Sequence, residues 1–407
     1  MRLHPKYIDL SLDRLKKLLD KLGNPHKYLP PTIHIAGTNG KGSTLSFLKK
    51  ILLHNNYSVH SYTSPHLVNF TERICINNKQ ISTIKLYNCL KYIKKINENK
   101  PITFFEITTA AAFLLFAKNK GDILLLETGL GGRLDATNII PKKLLSIITP
   151  ISFDHEEFLG KSITKIANEK IGIIRNSNNI VIAKQQKKVQ EFIYKKLKNE
   201  KNIYFHFKNF NISKIGNNNF LFKFGNFQKW ITKPQLQGIH QLDNASTAIA
   251  SAIILKNYGF NIHINTLGKC IYSTKWPGRL ELIKYKNKII ILDGSHNISG
   301  AEQLNSFLKN KKLKPNVIFG MLKNKNIYHF LKTIKNNINV LFPIKIPEEK
   351  NAFSQKEIEK YTKKLNIKYI TKNNLYSINK DLIRLSDKYI LITGSLYLVG
   401  KLRKKYL

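Results

Sequence analysis

The chain has 407 residues, 42% of them hydrophobic, and carries 68 Lys plus Arg against 25 Asp plus Glu, a formal net charge of +43. That length exceeds what one core usually supports, which predicts two domains. Its longest apolar stretches, such as 108–117, fall well short of the roughly 18 to 20 residues of a membrane span.

Cys75, Cys89 and Cys270 have neither metal-ligand spacing nor a disulfide framework, and no export signal is visible, so a cytoplasmic protein is expected. The basic excess raises polyanion binding as a hypothesis. Lysine doublets, however, recur from Lys16 to Lys404 without gathering on one element, and abundant Lys, Asn and Ile read as compositional drift. No nucleic-acid partner and no membrane partner are expected.

In chain order, Ile8, Leu12, Leu15, Leu19 and Leu22 fall on one face of an N-terminal helix. Strands are predicted over 32–36, 58–62, 122–126 and 144–149, with a helix over 41–54, a pattern expected of a doubly wound α/β sheet. A helix over 162–173 ends near Gly172. From 203 to 231 short alternating segments, broken at Gly216 to Asn219 and at Gly225, predict a small antiparallel sheet. A helix follows over 242–255, then turn signals at 273–278 that read as an interdomain linker. Strands over 289–292, 316–319, 339–342 and 388–392 predict a smaller second α/β domain.

The strongest chemical signal is Gly37-Thr38-Asn39-Gly40-Lys41-Gly42-Ser43, set between a strand and a helix. Glycines let backbone approach phosphate oxygens, helix-start amides point at them, and Lys41 can reach terminal phosphates while Ser43 supplies a hydroxyl for magnesium. The general phosphate-loop pattern wants glycine where Ile35 stands, so this is a shorter variant. Glu127 falls just past an apolar strand and, with Ser64 and His155, offers a carboxylate, a hydroxyl and an imidazole suited to magnesium. By periodicity alone Lys170 is a solvated charge. Asn244, at a helix start, is either an adenine contact or a cap. Arg279 offers a planar fork for phosphates. Asp293 and His296 read either as ligand contacts or as a local turn network.

The string GTNGKGS, then Thr63-Ser64-Pro65-His66-Leu67, LLLETGLGGRLDATN over 124–138, Asp154-His155, Glu169-Lys170, His240 with Asn244, Trp276-Pro277-Gly278-Arg279, Asp293-Gly294-Ser295-His296-Asn297 and Gly394-Ser395 resembles folylpolyglutamate synthase and dihydrofolate synthase of the Mur ligase superfamily. The resemblance implies a larger P-loop ATPase domain over 1–274 carrying the small antiparallel sheet, and a smaller Rossmann-like α/β domain over 275–407. It implies an amide ligase that uses ATP to add L-glutamate to dihydropteroate, to tetrahydrofolate (poly)glutamates, or to both, through an acyl phosphate.

Carried over residue by residue, Thr38, Asn39, Gly40, Lys41, Gly42, Ser43, Asn244, Arg279 and Asp293 would bind ATP. Ser64, Glu127, His155 and a carbamylated Lys170 would hold two magnesium ions, with Lys41, His155 and Lys170 as the catalytic set. The pterin end would lie near Ile8, Asp9, Leu10, Thr103, Phe104, Phe105, Glu106, Leu134, Asp135 and Ala136, and His296 would place glutamate or phosphate. Phe105 is a candidate stacking ring or a core residue, and Asp135 a candidate acceptor for ring N–H groups or a loop acid. A monomer that closes its domains on ATP is expected.

Two other readings stand beside this one. A Mur ligase acting on a peptidoglycan precursor would carry a substantial domain before its phosphate loop, whereas 36 residues precede Gly37. A nucleic-acid-binding ATPase would bind with steep salt dependence and turn over ATP in response to polynucleotide.

Overall fold

The structure, a computed structural model, describes residues 10–371 and 387–406. Two compact units emerge. The first runs to Ser152 and takes in Glu156–Pro234 and Leu242–Thr274; the second comprises Phe153–His155, Gln235–Gln241 and the chain from Lys275 onward. Two short stretches, 153–155 and 235–241, thus leave the first unit to pack with the second.

The first unit is built on an eight-stranded sheet of β1 (Thr32–Ala36), β2 (Val59–Tyr62), β3 (Ile74–Ile76), β4 (Lys79–Gln80), β5 (Ile123–Glu127), β6 (Leu145–Ile148), β7 (Ile180–Ile182) and β8 (Ile203–Phe205), in the order β4-β3-β2-β5-β1-β6-β7-β8. From β2 to β8 neighbours are parallel, while β3 and β4 pair antiparallel at one edge. Every residue of β1, β2, β5, β6 and β7 is buried, as near-continuous apolar runs in a sheet covered on both faces require.

One core joins Leu124 and Leu126 to Phe113 and Phe116 of the helix Phe104–Ala117 and to Leu15 and Leu19 of the helix Asp13–Lys21. A second joins Ala36, Ile148 and Ile180 to Ile166 and Ile171 of the helix Ile163–Ile171. Each fully buried Leu or Ile contributes about 1.5–3 kcal/mol. Ser162 starts that helix by accepting a hydrogen bond from the Lys165 amide, and Gly172 ends it.

The expected small antiparallel sheet exists but is shorter at its start. β9 (Phe210–Ile215), β10 (Asn219–Phe224) and β11 (Phe227–Thr232) form a three-stranded meander. Residues 203–205 instead form β8, which extends the large sheet in parallel with β7. Three apolar residues carry no alternation that distinguishes the two partners.

The second unit holds a five-stranded sheet of β12 (Glu281–Tyr285), β13 (Lys288–Leu292), β14 (Asn316–Phe319), β15 (Leu341–Pro343) and β16 (Tyr389–Thr393), ordered β12-β13-β16-β14-β15. Only the β12 pairing is antiparallel. Helices Ile298–Asn310 and Ile327–Ile334 pack Leu304, Phe307, Phe330 and Leu331 onto Ile291, Val317 and Phe319. Among the described residues no helix is long and apolar enough to cross a membrane.

Candidate active site

The central strands of the first sheet end along one edge, where Gly37, Ser64, Thr128 and Thr149 follow β1, β2, β5 and β6. From β1 the chain enters the loop 37–40 and leaves through the helix Lys41–His54. The loop is pinned from beneath: the amides of Thr38 and Asn39 donate to the Pro150 carbonyl at 2.9 and 3.2 Å, and Thr38 Oγ1 donates to the Ser152 carbonyl at 3.0 Å.

Two glycines are needed for this path. A Cβ on Gly37 would lie 1.9 Å from Thr149 Oγ1. At Gly40, φ is +83° and a Cβ would meet Asn244 Oδ1 at 2.4 Å. The Lys41–His54 helix has no side-chain cap and no acidic residue in its first turn, so its leading amides and dipole favour an anion.

Charged side chains converge on this loop. Lys41 Nζ donates to the carbonyls of Gly37 and Thr38 at 3.1 and 3.3 Å and stands 4.0 Å from Glu127 Oε1. Glu127 is the last residue of β5, 5% exposed, and accepts from the Ser64 amide at 3.3 Å. Lys170, also 5% exposed, donates to the Gly37 carbonyl at 3.2 Å. Periodicity alone would have left it in solvent; the tertiary fold turns it inward beneath the loop. Ser43 is buried in the first helical turn. Asn244 lies in the second turn of the helix His240–Asn257, not at its start as expected, and is buried against Gly40. Lys41, Ser43, Ser64, Glu127, Lys170 and Asn244 are thus gathered around one loop.

A divalent cation fits this donor set. Among the described residues no group of three or more His, Cys, Asp or Glu is placed to hold a metal ion. A single buried carboxylate that meets Ser64, with Ser43 in the first turn of the helix after the loop, matches an ion that keeps water and shares phosphate oxygens better than one caged by protein.

Ile8 and Asp9, expected at the pterin end, lie outside the described residues. Leu10 packs at the margin of the second core, and Leu134 is half-buried just before Asp135. Thr103 caps the helix Phe104–Ala117 in a reciprocal box with Glu106, whose carboxylate also receives Arg14 at 3.0 and 3.2 Å. Phe104 meets Phe70 edge-on at 5.3 Å, and the Phe105 ring lies close over the Gly129 backbone. Asp135 is buried and accepts from the Thr137 amide and hydroxyl and from the Leu130 amide, while Ala136 opens a single 3-10 turn. Burial pushes the Asp135 carboxyl up despite these bonds.

The remaining candidates belong to the second unit. Both oxygens of Asp293 are engaged, by the amides of Leu280 and Ser295, each at 3.1 Å. The Arg279 guanidinium lies near Gly294, close enough to crowd a Cβ there. His296 Nδ1 pairs with the Gly294 carbonyl at 2.9 Å, and its Nε2 is 3.6 Å from Asp154. His155, at φ +53°, donates its amide to the Asp154 carboxylate. Burial would raise the Asp154 carboxyl, but His296, Lys325 and His155 hold it well below the usual carboxylate range. Lys325 Nζ is 2.5 Å from Asp154 and 3.4 Å from His155 Nε2. Sequence reasoning missed Lys325 because the run Lys323-Asn-Lys-Asn reads as a solvated turn; it missed Arg14 because one charge on an amphipathic helix carries no sign of its partner.

The descriptions of known families agree with this architecture. Residues 35–252 match the Mur ligase middle domain, and residues 279–405 match the dihydrofolate synthetase C-terminal domain. The chain is 33% identical to a Bacillus subtilis dihydrofolate synthase/folylpolyglutamate synthase, over 97% of this chain and 94% of that protein. It is 32% identical to a Saccharomyces cerevisiae dihydrofolate synthetase, over 97% of each. Among solved structures, E. coli FolC in complex with DHPP and ADP superimposes with a TM-score of 0.87 at 26% identity, over 99% of this chain and 94% of that one. A bifunctional folylpolyglutamate synthase/dihydrofolate synthase with Mn, AMPPNP and L-glutamate bound gives 0.84 at 26% identity, over 98% and 95%. With both domain families matched in order and relatives aligned over nearly their whole length, this chain belongs to the dihydrofolate synthase/folylpolyglutamate synthase family of Mur ligases.

Proposed function

We propose that this protein is an ATP-dependent ligase that joins L-glutamate to the carboxylate of dihydropteroate, of a reduced folate, or of both, releasing ADP and phosphate. The observation that carries the reading is the gathering of Lys41, Lys170 and Glu127 at Gly37, beside an uncapped helix start. Full-length similarity to enzymes named for both activities supports the substrate class.

A free carboxylate is a poor acyl donor because its leaving group would be oxide; phosphorylation by ATP makes phosphate the leaving group. The loop amides and Lys41 hold the triphosphate and spread the charge of the transferring phosphoryl group, a task of positioning and electrostatics. The amine of glutamate then attacks the acyl phosphate, and loss of phosphate leaves the amide. A divalent cation, magnesium in this reading, would be held by Glu127 with Ser64 and Ser43, and supplies charge neutralisation between phosphates when bound. We take the number of such ions as two and Lys170 as carbamylated, which would replace the ammonium that now meets the Gly37 carbonyl with an anionic group for a cation. Intact mass under native conditions at high bicarbonate tests the modification: a gain of one carbamate is expected on the wild type and not on Lys170→Ala.

The pterin-bearing acid is assigned to the surroundings of Phe105 and the 129–136 loop, where the Phe105 ring lies directly over Gly129. ADP release, followed with ATP, magnesium and glutamate against dihydropteroate and tetrahydrofolate in turn, tests the function. Release that depends on glutamate and on at least one pterin acid is expected; release indifferent to both overturns the reading.

A further inference from the structure

His34 sits in the middle of β1, a strand whose end delivers the phosphate loop, and none of its surface is exposed. A histidine inside a sheet core needs a reason, since an imidazole buried without hydrogen bonds costs free energy. Its Nε2 lies 2.8 Å from Thr137 Oγ1, and Thr137 Oγ1 donates to Asp135 Oδ1 at 2.5 Å. All three side chains are almost wholly out of solvent.

Proton counting fixes the direction of this chain of bonds. An ionised carboxylate only accepts, so the single Thr137 hydroxyl proton goes to Asp135. The Thr137 oxygen must then accept from His34, which places the imidazole proton on Nε2; Nδ1 is left bare, with no hydrogen-bond partner. At its far end Asp135 gathers the loop: Oδ1 also takes the Thr137 amide at 3.0 Å, and Oδ2 takes the Leu130 amide at 2.7 Å. One carboxylate thus ties residue 130 to residue 137 and starts the 3-10 turn Ala136–Ile139. With these donors in place, the Asp135 oxygens are committed to the loop itself.

We propose that His34, Thr137 and Asp135 form a buried positioning relay that holds the 129–139 loop in the shape that seats the pterin-bearing acid. Asp135 then acts through the backbone it gathers, and His34 by donating to the Thr137 oxygen, which strengthens the bond that the Thr137 hydroxyl gives to Asp135. The inference rests on the function proposed above, because it takes that loop as one wall of the pterin seat. Bond polarisation along such a chain makes removal of its first member felt at its last.

The test is a set of steady-state measurements on the full-length enzyme. His34→Leu should raise KM for the pterin acid about three- to tenfold, the scale of one hydrogen bond, with KM for ATP and kcat each within about twofold of wild type. His34→Gln, whose amide restores an N–H near the place of Nε2, should recover most of the loss. Thr137→Val should match His34→Leu, and the double variant should be no worse than the poorer single one, the non-additivity expected of one network. Thr137→Ser should behave as wild type.

Thermal unfolding of each variant separates a general packing role, which would lower Tm while leaving the KM for the pterin acid and the KM for ATP in their wild-type ratio; that result overturns the relay. Should His34→Leu fail to fold, the Thr137→Val and Thr137→Ser pair decides: equal KM for the pterin acid in both contradicts the proposal. A wild-type enzyme inactive with every pterin acid would instead sink the function. An active wild type with unmoved KM values in the variants sinks only the relay.

Discussion

The phosphate loop of the first unit and the Asp154 cluster of the second use similar side chains in opposite ways. Around Gly37, two ammonium groups, Lys41 and Lys170, rest on the same neutral carbonyl, and Glu127 is the carboxylate beside them. Around Asp154, one buried carboxylate is met by Lys325, His155 and His296, and Asn297 adds an amide at 3.1 Å. Through Lys41, the first arrangement carries positive charge toward an uncapped helix start, where a polyanion can complete it. In the second, the carboxylate is already met by side chains of its own unit. Lys41 thus meets carbonyl oxygens at 3.1 and 3.3 Å and its carboxylate only at 4.0 Å, whereas Lys325 sits directly on a carboxylate.

The sharpest way to break this comparison is to delete one charge from each side. Lys41→Ala should lower glutamate-dependent ADP release by at least about a thousandfold, as loss of a charge that stabilises phosphoryl transfer does, while the unfolding midpoint hardly moves. Asp154→Asn should do the reverse in kind: removing the anion leaves Lys325 and His296 without their carboxylate and should cost about 3–5 kcal/mol of stability, read by denaturant unfolding. Equal stability losses in the two variants would erase the distinction.

A smaller effect sharpens the geometry. Gly40→Ala puts a Cβ into Asn244 at a backbone angle of φ +83° and should cost about 1–3 kcal/mol in strain. Weakened nucleotide binding, measured by titration with a non-hydrolysable ATP analogue, should accompany it. A last effect is a pH slope. Burial holds His206 of the first unit down to about 4, against an unfolded value of 6.5. Its contribution is intact above pH 6.5 and is lost as pH falls toward 4, because the unfolded chain takes up the proton first; the limit is about 1.4 kcal/mol per pH unit. His206→Gln should flatten this limb of the stability curve. Asp154, whose carboxyl is depressed, contributes fully above its unfolded value and loses that contribution only at more acid pH.

Much of this was legible before the structure. β1, the helix after it, β5, β6 and four of the five strands of the second unit announce themselves as apolar runs bounded by turns, and the phosphate loop as glycine, lysine and hydroxyl at fixed spacing, whereas β12, a half-exposed edge strand, does not. From sequence β8 reads as part of the small antiparallel sheet, because three apolar residues fit either partner, but it pairs with β7. The burial of Lys170 and Lys325 had no local sign: a lysine is drawn inside by what surrounds it in three dimensions, and one beside Asn or Glu in sequence reads as solvated. His34 passed as one more strand residue, since its partner Thr137 is 103 positions away. Sequence patterning reports periodic burial well and long-range polar pairing hardly at all.

The central claim, that ATP activates a pterin-bearing acid as an acyl phosphate, is tested most directly by isotope. Dihydropteroate labelled with oxygen-18 in its carboxylate, turned over with ATP, magnesium and glutamate, should deliver one labelled oxygen to inorganic phosphate for each amide formed. Phosphate free of label, with amide made at the normal rate, would contradict the account.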